Sequence, residues 1–316
     1  MFTKMLLDNE TILIIGGTGF IGQNLLDYYV NNDQVRCNNI LVISRSLPEK
    51  MYENIHYFEG NYSDDIFLKR IFSKWKITKV FHLASSSIPV SSNQNIKKDI
   101  DDNLLATINL LDVMKEFSCR FILYISSGGA VYGEKKQGIT SENELCMPIS
   151  SYGIIKLTIE KYLYLYQREH NISYLILRIS NPFGQFHKSK NQGAINIAAR
   201  KAVNKNVFSV WGDGKQSKDY IYIKDLINIV VKLIEKKISN KTINIGSGVS
   251  IQLNTILNII KSNTLNFNVT YVESKTSDVR EFCLDISLLK SILNFEFTEL
   301  DKAIRDTILW EKSQLK

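Results

Sequence analysis

Short apolar runs punctuate the first half of the chain at residues 11–15, 40–44, 55–59, 79–83, 120–126 and 173–179. Each is nearly continuous in Val, Ile, Leu and Phe, the pattern of a parallel strand buried on both faces. Between them lie segments with helical periodicity. Over 99–117 the spacing puts Ile100, Leu104, Ile108, Leu111 and Met114 on one face and predicts a single amphipathic helix. Strand–helix alternation at this rhythm predicts an α/β fold with a doubly wound parallel sheet. Past residue 180 the rhythm loosens. Turn sequences appear at 181–184, 212–214 and 246–248, among helical patterns at 194–203, 224–236, 253–262 and 300–312. The division expected is a first domain over 1–179 and a smaller α/β lobe over 180–316, with some segments returning to the first domain.

Composition narrows the class without changing the fold. The 316 residues, 44% hydrophobic and 22% charged, suit a globular protein with a large core. No apolar run approaches the ~20 residues of a bilayer span. Asp8 and Glu10 stand where a secretory signal would be apolar, so a cytoplasmic protein is expected, with no membrane partner. Cys37, Cys119, Cys146 and Cys283 are scattered, as are the four histidines, which predicts reduced thiols and no metal site. The net charge of +7 is spread along the chain. It reads as a solvated basic surface or as a pocket attracting a diphosphate; nucleic acid is not expected as a partner, for want of a basic stripe or module.

The most informative segment follows the first run directly: Gly16-Gly17-Thr18-Gly19-Phe20-Ile21-Gly22, then a helical pattern. Such a turn lets backbone approach a pyrophosphate, and the helix behind it offers free N–H groups and a partial positive charge. Between a strand and a helix this points to a Rossmann-type NAD(P) site. At the end of the second strand, where NAD-binding chains often carry an acid, stand Ser44 and Arg45. No carboxylate repels a 2′-phosphate there, and Arg45 could pair with that phosphate or stack on adenine. NADP is therefore favoured over NAD, with a surface arginine as the plain alternative. Further on, Tyr152 and Lys156 lie four residues apart, on one face of a predicted helix. A free tyrosine titrates near pH 10, too high for a base at neutrality, and an adjacent ammonium lowers that value.

In these segments the chain resembles the extended short-chain dehydrogenase/reductases, in their nucleotide-sugar epimerase/dehydratase branch. The resemblance runs through GGTGFIG (16–22), GNYSD (60–64), VFHLAS (80–85), NLLATINLL (103–111), SSGGAVYG (126–133), SSYGIIK (150–156), RISNPFG (178–184), WGDGKQSKDYIYIKD (211–225) and NIGSG (244–248). It implies that Tyr152 is the base and Lys156 its partner. It implies further cofactor contacts at Asn61, in place of an aspartate, at Leu83, Ala84 and Ser85, and at Asn103. His82 is not expected to be catalytic. Asn181, Lys218, Lys275 and Arg280 are implied to hold a nucleotide-diphosphate sugar. A homodimer is implied, joined through 99–117 and 152–168, where Tyr162-Leu163-Tyr164-Leu165-Tyr166 would suit an interface.

One position departs from the family. The catalytic Ser or Thr usually stands where this chain has Gly128. Ser127 is the replacement expected, with termination of the strand as the alternative role for Ser126 and Ser127. The acid and base of a 4,6-dehydratase are missing, since Gly129 and Ala130 occupy their places and neither can move a proton. Three functions stay open: a 4-epimerase of an NDP-hexose, similar to UDP-glucose 4-epimerases; an NADPH-dependent 4-keto-6-deoxy sugar reductase, toward which Ser44-Arg45 pulls; and a non-catalytic dinucleotide-binding regulator.

Overall fold

A computed structural model describes residues 6–32, 36–48, 51–134, 138–273 and 281–315. Seven strands form its main sheet: β1 (Leu6–Ile15), β2 (Arg36–Ser44), β3 (Ile55–Glu59), β4 (Lys79–His82), β5 (Phe121–Ser127), β6 (Ser173–Ile179) and β7 (Lys241–Ile245). Their spatial order is β7-β6-β5-β4-β1-β2-β3. The pairings of β1 with β2 and β4, of β2 with β3 and of β4 with β5 are parallel. Consecutive residues Ile12, Leu13 and Ile14 are all fully buried, so both faces of β1 are covered by apolar side chains. The doubly wound sheet expected from the apolar runs is therefore the observed one. Its strand order reverses direction between β1 and β4, the place where such sheets open a crevice at the strands' carboxyl ends.

Helices α1 (Phe20–Asn31), α2 (Asp65–Lys74), α3 (Ala106–Glu116) and α4 (Ser151–His170) follow β1, β3, β4 and β5 in the chain. The single helix expected over 99–117 is interrupted. A short helix, Ile96–Asp99, passes through a π-helical turn, Ile100–Leu105, before α3 begins. Asn103 lies in that turn, its amide bonded back to the carbonyl oxygen of Asp99 at 3.1 Å and to its carboxylate at 2.8 Å. Such turns recur at functional sites.

Cα packing divides the chain into two compact units, 1–131, 148–178 and 231–243 in the first and 132–147, 179–230 and 244–316 in the second. In the second unit, among the described residues, Ser217–Tyr222 pairs with Ser250–Gln252, Glu281–Leu284 and Asn181–Phe183. Ile139–Thr140 pairs with Glu281–Leu284, and Phe208–Trp211 with Val269–Val272. Helices Ala194–Val203, Leu253–Ser262 and Leu300–Ser313 pack on one another there. No helix among the described residues is long and apolar enough to cross a membrane.

Candidate active site

The glycine turn leaves β1 and enters α1 without a side chain in the way. Gly16 has φ +84, and a Cβ there would lie 2.8 Å from the Ala84 backbone. A Cβ on Gly22 would lie 2.5 Å from both Gly16 O and Gly17 Cα, so α1 packs directly on the turn. The N-terminus of α1 is bare: Gly19 makes no side-chain cap, and the first turn carries no acid. By contrast, Asp64 caps α2 and Ser150 caps α4. An uncapped helix start of this kind, behind a glycine turn, suits the pyrophosphate of a dinucleotide. Thr18 and Ser44 share a hydroxyl–hydroxyl hydrogen bond of 2.5 Å, which joins the turn to the end of β2. Arg45 beside it is exposed. Asn61 follows β3 and is exposed; its Oδ1 accepts from the N–H of Ser63 at 3.1 Å, closing a local turn.

Residues 83–85 continue from β4. The Leu83 N–H donates to Ile15 O at 2.9 Å, holding this loop beside the glycine turn. The Asn103 side chain is committed to shaping the same loop. Its oxygen accepts from the N–H of Ser86 at 2.9 Å, and its amide donates to Ser86 Oγ at 2.7 Å as well as to Asp99. His82 is fully buried and held near pH 3, first by burial and then by the Lys156 charge, so its ring is neutral. Its Nε2 lies 2.9 Å from Thr107 Oγ1, which donates to Asn103 O.

The helix pattern around residue 152 is realised as α4, which begins one residue before Tyr152. Lys156, one turn later, is buried and donates to Ile125 O at 2.8 Å. Its ammonium lies 4.7 Å from the centroid of the Tyr124 ring and 5.6 Å from that of Tyr152. Burial lowers the Lys156 pKa to about 8, opposed by the charges of Glu160 and Asp99. Burial pushes the Tyr152 phenol up to about 12; a hydrogen bond with Ser127 pulls it down, and the Asp99 charge adds to the rise. Tyr124 offers a buried hydroxyl with no hydrogen-bond partner among the described residues, on a narrow cavity it shares with Ala84, Ser85, Tyr152 and Lys156.

The two adjacent serines separate cleanly. Ser126 is buried and donates to Glu160 Oε1 at 2.5 Å, and Glu160 is also gripped by Arg178 at 2.6 Å. Ser127, the last residue of β5, is half-buried and bonded to Tyr152. Gly128 opens a short helix, Gly128–Val131, and brings no hydroxyl.

Within the second unit, Asn181 and Lys218 stand on paired strands, with Asn181 opposite Tyr220. The Asn181 amide donates to Asp219 O at 2.8 Å. Asp219 is buried and accepts from Ser247 N at 2.8 Å and Ser247 Oγ at 2.9 Å, which ties the 246–248 turn to the same strand. Lys275 and Arg280 lie outside the described residues. Among the described residues no group of three His, Cys, Asp or Glu side chains is placed to hold a metal ion. Sequence reasoning did not anticipate Asp99, Tyr124 or Glu160. Asp99 alone left a trace, as a polar residue four before Asn103.

Residues 12–246 match the model of the NAD dependent epimerase/dehydratase family. A putative UDP-glucose 4-epimerase of Methanocaldococcus jannaschii is 30% identical over 96% of this chain and 98% of its own length. A dTDP-4-dehydro-6-deoxyglucose reductase of Escherichia coli is 34% identical over 79% of this chain and 80% of its own. Among solved structures, the UDP-glucose 4-epimerase of Thermotoga maritima with UDP-glucose superposes with a TM-score of 0.89 at 28% identity, covering 97% of this chain and all of that one. With a glycine turn on β1, a Tyr152–Lys156 pair on α4 and a family match over most of its length, the chain belongs to the NAD-dependent epimerase/dehydratase family.

Proposed function

We propose that this protein is a 4-epimerase of a nucleotide-diphosphate hexose. Tyr152, bonded to Ser127 and flanked by Lys156, is the arrangement that supports proton transfer at a sugar hydroxyl. The choice of epimerisation rests on end-to-end similarity to UDP-glucose 4-epimerases in both sequence and structure. The turn Gly16–Gly22, with Ser44, Arg45 and the 83–85 loop, holds the dinucleotide. Bound there, the dinucleotide supplies a hydride acceptor and donor. Tyr152 takes the proton of the C4 hydroxyl and returns it when the keto group is reduced. Ser127 hydrogen-bonds the same oxygen, and the Lys156 ammonium stabilises the phenolate. Asn181 and Lys218, on paired strands of the second unit, are assigned to the diphosphate by resemblance. Lys275 and Arg280 are assigned to the same anion in the same way.

A second reading, 4-ketoreduction, is favoured by the 34% identical reductase and by exposed Arg45 at the end of β2. Stoichiometry separates the two. An epimerase converts either C4 epimer of a UDP-hexose to one fixed ratio with catalytic dinucleotide and no net change in nicotinamide absorbance. Consumption of one NADPH per 4-keto sugar, with the saturated epimers ignored, would replace epimerisation by reduction.

A further inference from the structure

Asp99 is a buried carboxylate to which the mechanism above gives no part. It ends the short helix Ile96–Asp99, and its two oxygens collect donors from three other segments. Oδ1 accepts from Ser87 Oγ at 2.6 Å, in the loop after β4, and from the Asn103 amide at 2.8 Å, in the π-helical turn. Oδ2 accepts from Ser151 Oγ at 2.7 Å, at the first residue of α4. All three donors are neutral. Burying a carboxylate without a cation in contact is costly, and removing charged groups of this kind from cores is often neutral or stabilising. Asp99 lines one narrow cavity with Tyr152 and Lys156, a placement that points to a role other than stability.

The groups facing Lys156 limit that role. Tyr152 and Glu160 come from its own helix, Tyr124 from β5, His82 from β4 and Asp99 from Ile96–Asp99, and His82, Asp99, Tyr124 and Tyr152 line one narrow cavity with Lys156. His82 is neutral. Glu160 spends its charge on Arg178, whose Nε and Nη2 both reach it, with a closest approach of 2.6 Å. Asp99 is the acid facing Lys156 that carries no cation of its own among these groups.

We propose that Asp99 is a positioning residue for the Tyr152–Lys156 pair, its carboxylate serving as the counter-charge of the Lys156 ammonium while Ser151 fixes the start of α4. The proposal rests on the reading that Tyr152 and Lys156 carry the proton chemistry. Its sign is definite. A negative charge near both groups favours protonated lysine and protonated tyrosine alike. Asp99→Asn keeps the shape and can keep the hydrogen bonds but removes the charge, so both groups should lose their protons at lower pH.

The test is a titration of lysine Cε resonances in protein labelled with 13C-lysine, with and without dinucleotide bound, Lys156 being identified by its loss in Lys156→Arg. In Asp99→Asn the Lys156 midpoint should fall by about one pH unit. Both limbs of the kcat–pH profile should move toward acid, with KM nearly constant. A purely structural Asp99 would lower the rate without moving either limb. An Asp99→Asn midpoint equal to wild type overturns the proposal. If that variant does not fold, Asp99→Ser is titrated in its place, with the same fall expected, and an unchanged Lys156 midpoint overturns the proposal equally. Failure of Tyr152→Phe to reduce turnover would instead remove the underlying functional reading.

Discussion

Ser126 and Ser127 are neighbours in sequence with opposite duties, and exchanging each for alanine should separate activity from stability. Ser127→Ala deletes the hydroxyl bonded to Tyr152 and leaves the rest of β5 intact. A hydrogen-bond donor aimed at the reacting oxygen contributes about 10²–10³ in kcat, so turnover should fall by roughly that factor. KM for the nucleotide sugar should change little, because the residues proposed for the diphosphate, Asn181 and Lys218, lie on other strands. Ser126→Ala removes instead the 2.5 Å hydrogen bond to Glu160 inside the ion pair with Arg178. A bond to a buried charge contributes about 1.5–3 kcal/mol, and its loss should lower Tm by several degrees, at about 2–4 °C per kcal/mol for a chain of this size. The rate at a temperature where Ser126→Ala remains folded should stay within about threefold of wild type, since this serine does not reach the Tyr152 hydroxyl. Steady-state kinetics and thermal denaturation of both variants check the pair. The reasoning is refuted if Ser126→Ala is the slower enzyme, or if Ser127→Ala keeps turnover within tenfold of wild type.

Tyr152→Phe should lower kcat by about 10²–10⁴ while dinucleotide affinity is kept, measured by fluorescence titration alongside turnover. Gly22→Ala should fold yet bind dinucleotide at least about tenfold more weakly, because its Cβ would meet Gly16 O at 2.5 Å and push α1 off the turn; calorimetric titration reads this directly. Arg45→Ala should weaken NADPH more than NADH, since only NADPH offers a phosphate for charge-assisted hydrogen bonds. Equal losses for the two dinucleotides would make Arg45 a surface residue.

The parallel core was legible because double-sided burial makes its strands apolar without a break. The strand at 241–245 escaped notice for the converse reason. Asn244 interrupts its apolar pattern yet is fully buried, satisfied by Tyr132 at 2.7 Å, Thr140 O at 3.0 Å and Asp285 O at 3.2 Å. A buried asparagine looks polar until its partners, more than a hundred residues away in two cases, are known. The break in the helix over 96–116 was hidden likewise. The apolar stripe through Ile100 and Leu104 continues across the π-helical turn, and the Asn103–Asp99 bonds within it leave no periodic signal. Glycine spacing and the Tyr-x-x-x-Lys interval were readable because each acts within one turn of backbone. Asp99, Ser87 and Ser151 form their set only when three segments fold together.

The placement of Ser127 fits the expectation that it supplies the hydroxyl that Gly128 lacks. β5 runs on through Ser127, and the short helix starts at Gly128, so the last strand residue carries the hydroxyl that meets Tyr152. One residue earlier, the Ser126 hydroxyl is already spent on Glu160. What remains is to make the phenol a base. Burial pushes Tyr152 up to about 12, and Asp99 adds to that rise, so the chain alone holds the phenol protonated at neutrality. The Ser127 hydrogen bond pulls the other way, and Lys156, at about 8, carries a charge at neutrality 5.6 Å from the Tyr152 ring. The same Asp99 that opposes ionisation of Tyr152 sustains the charge on Lys156. In the proposed mechanism a dinucleotide whose pyrophosphate sits at the N-terminus of α1 would carry a positively charged ring, and that charge near Tyr152 would favour the phenolate further.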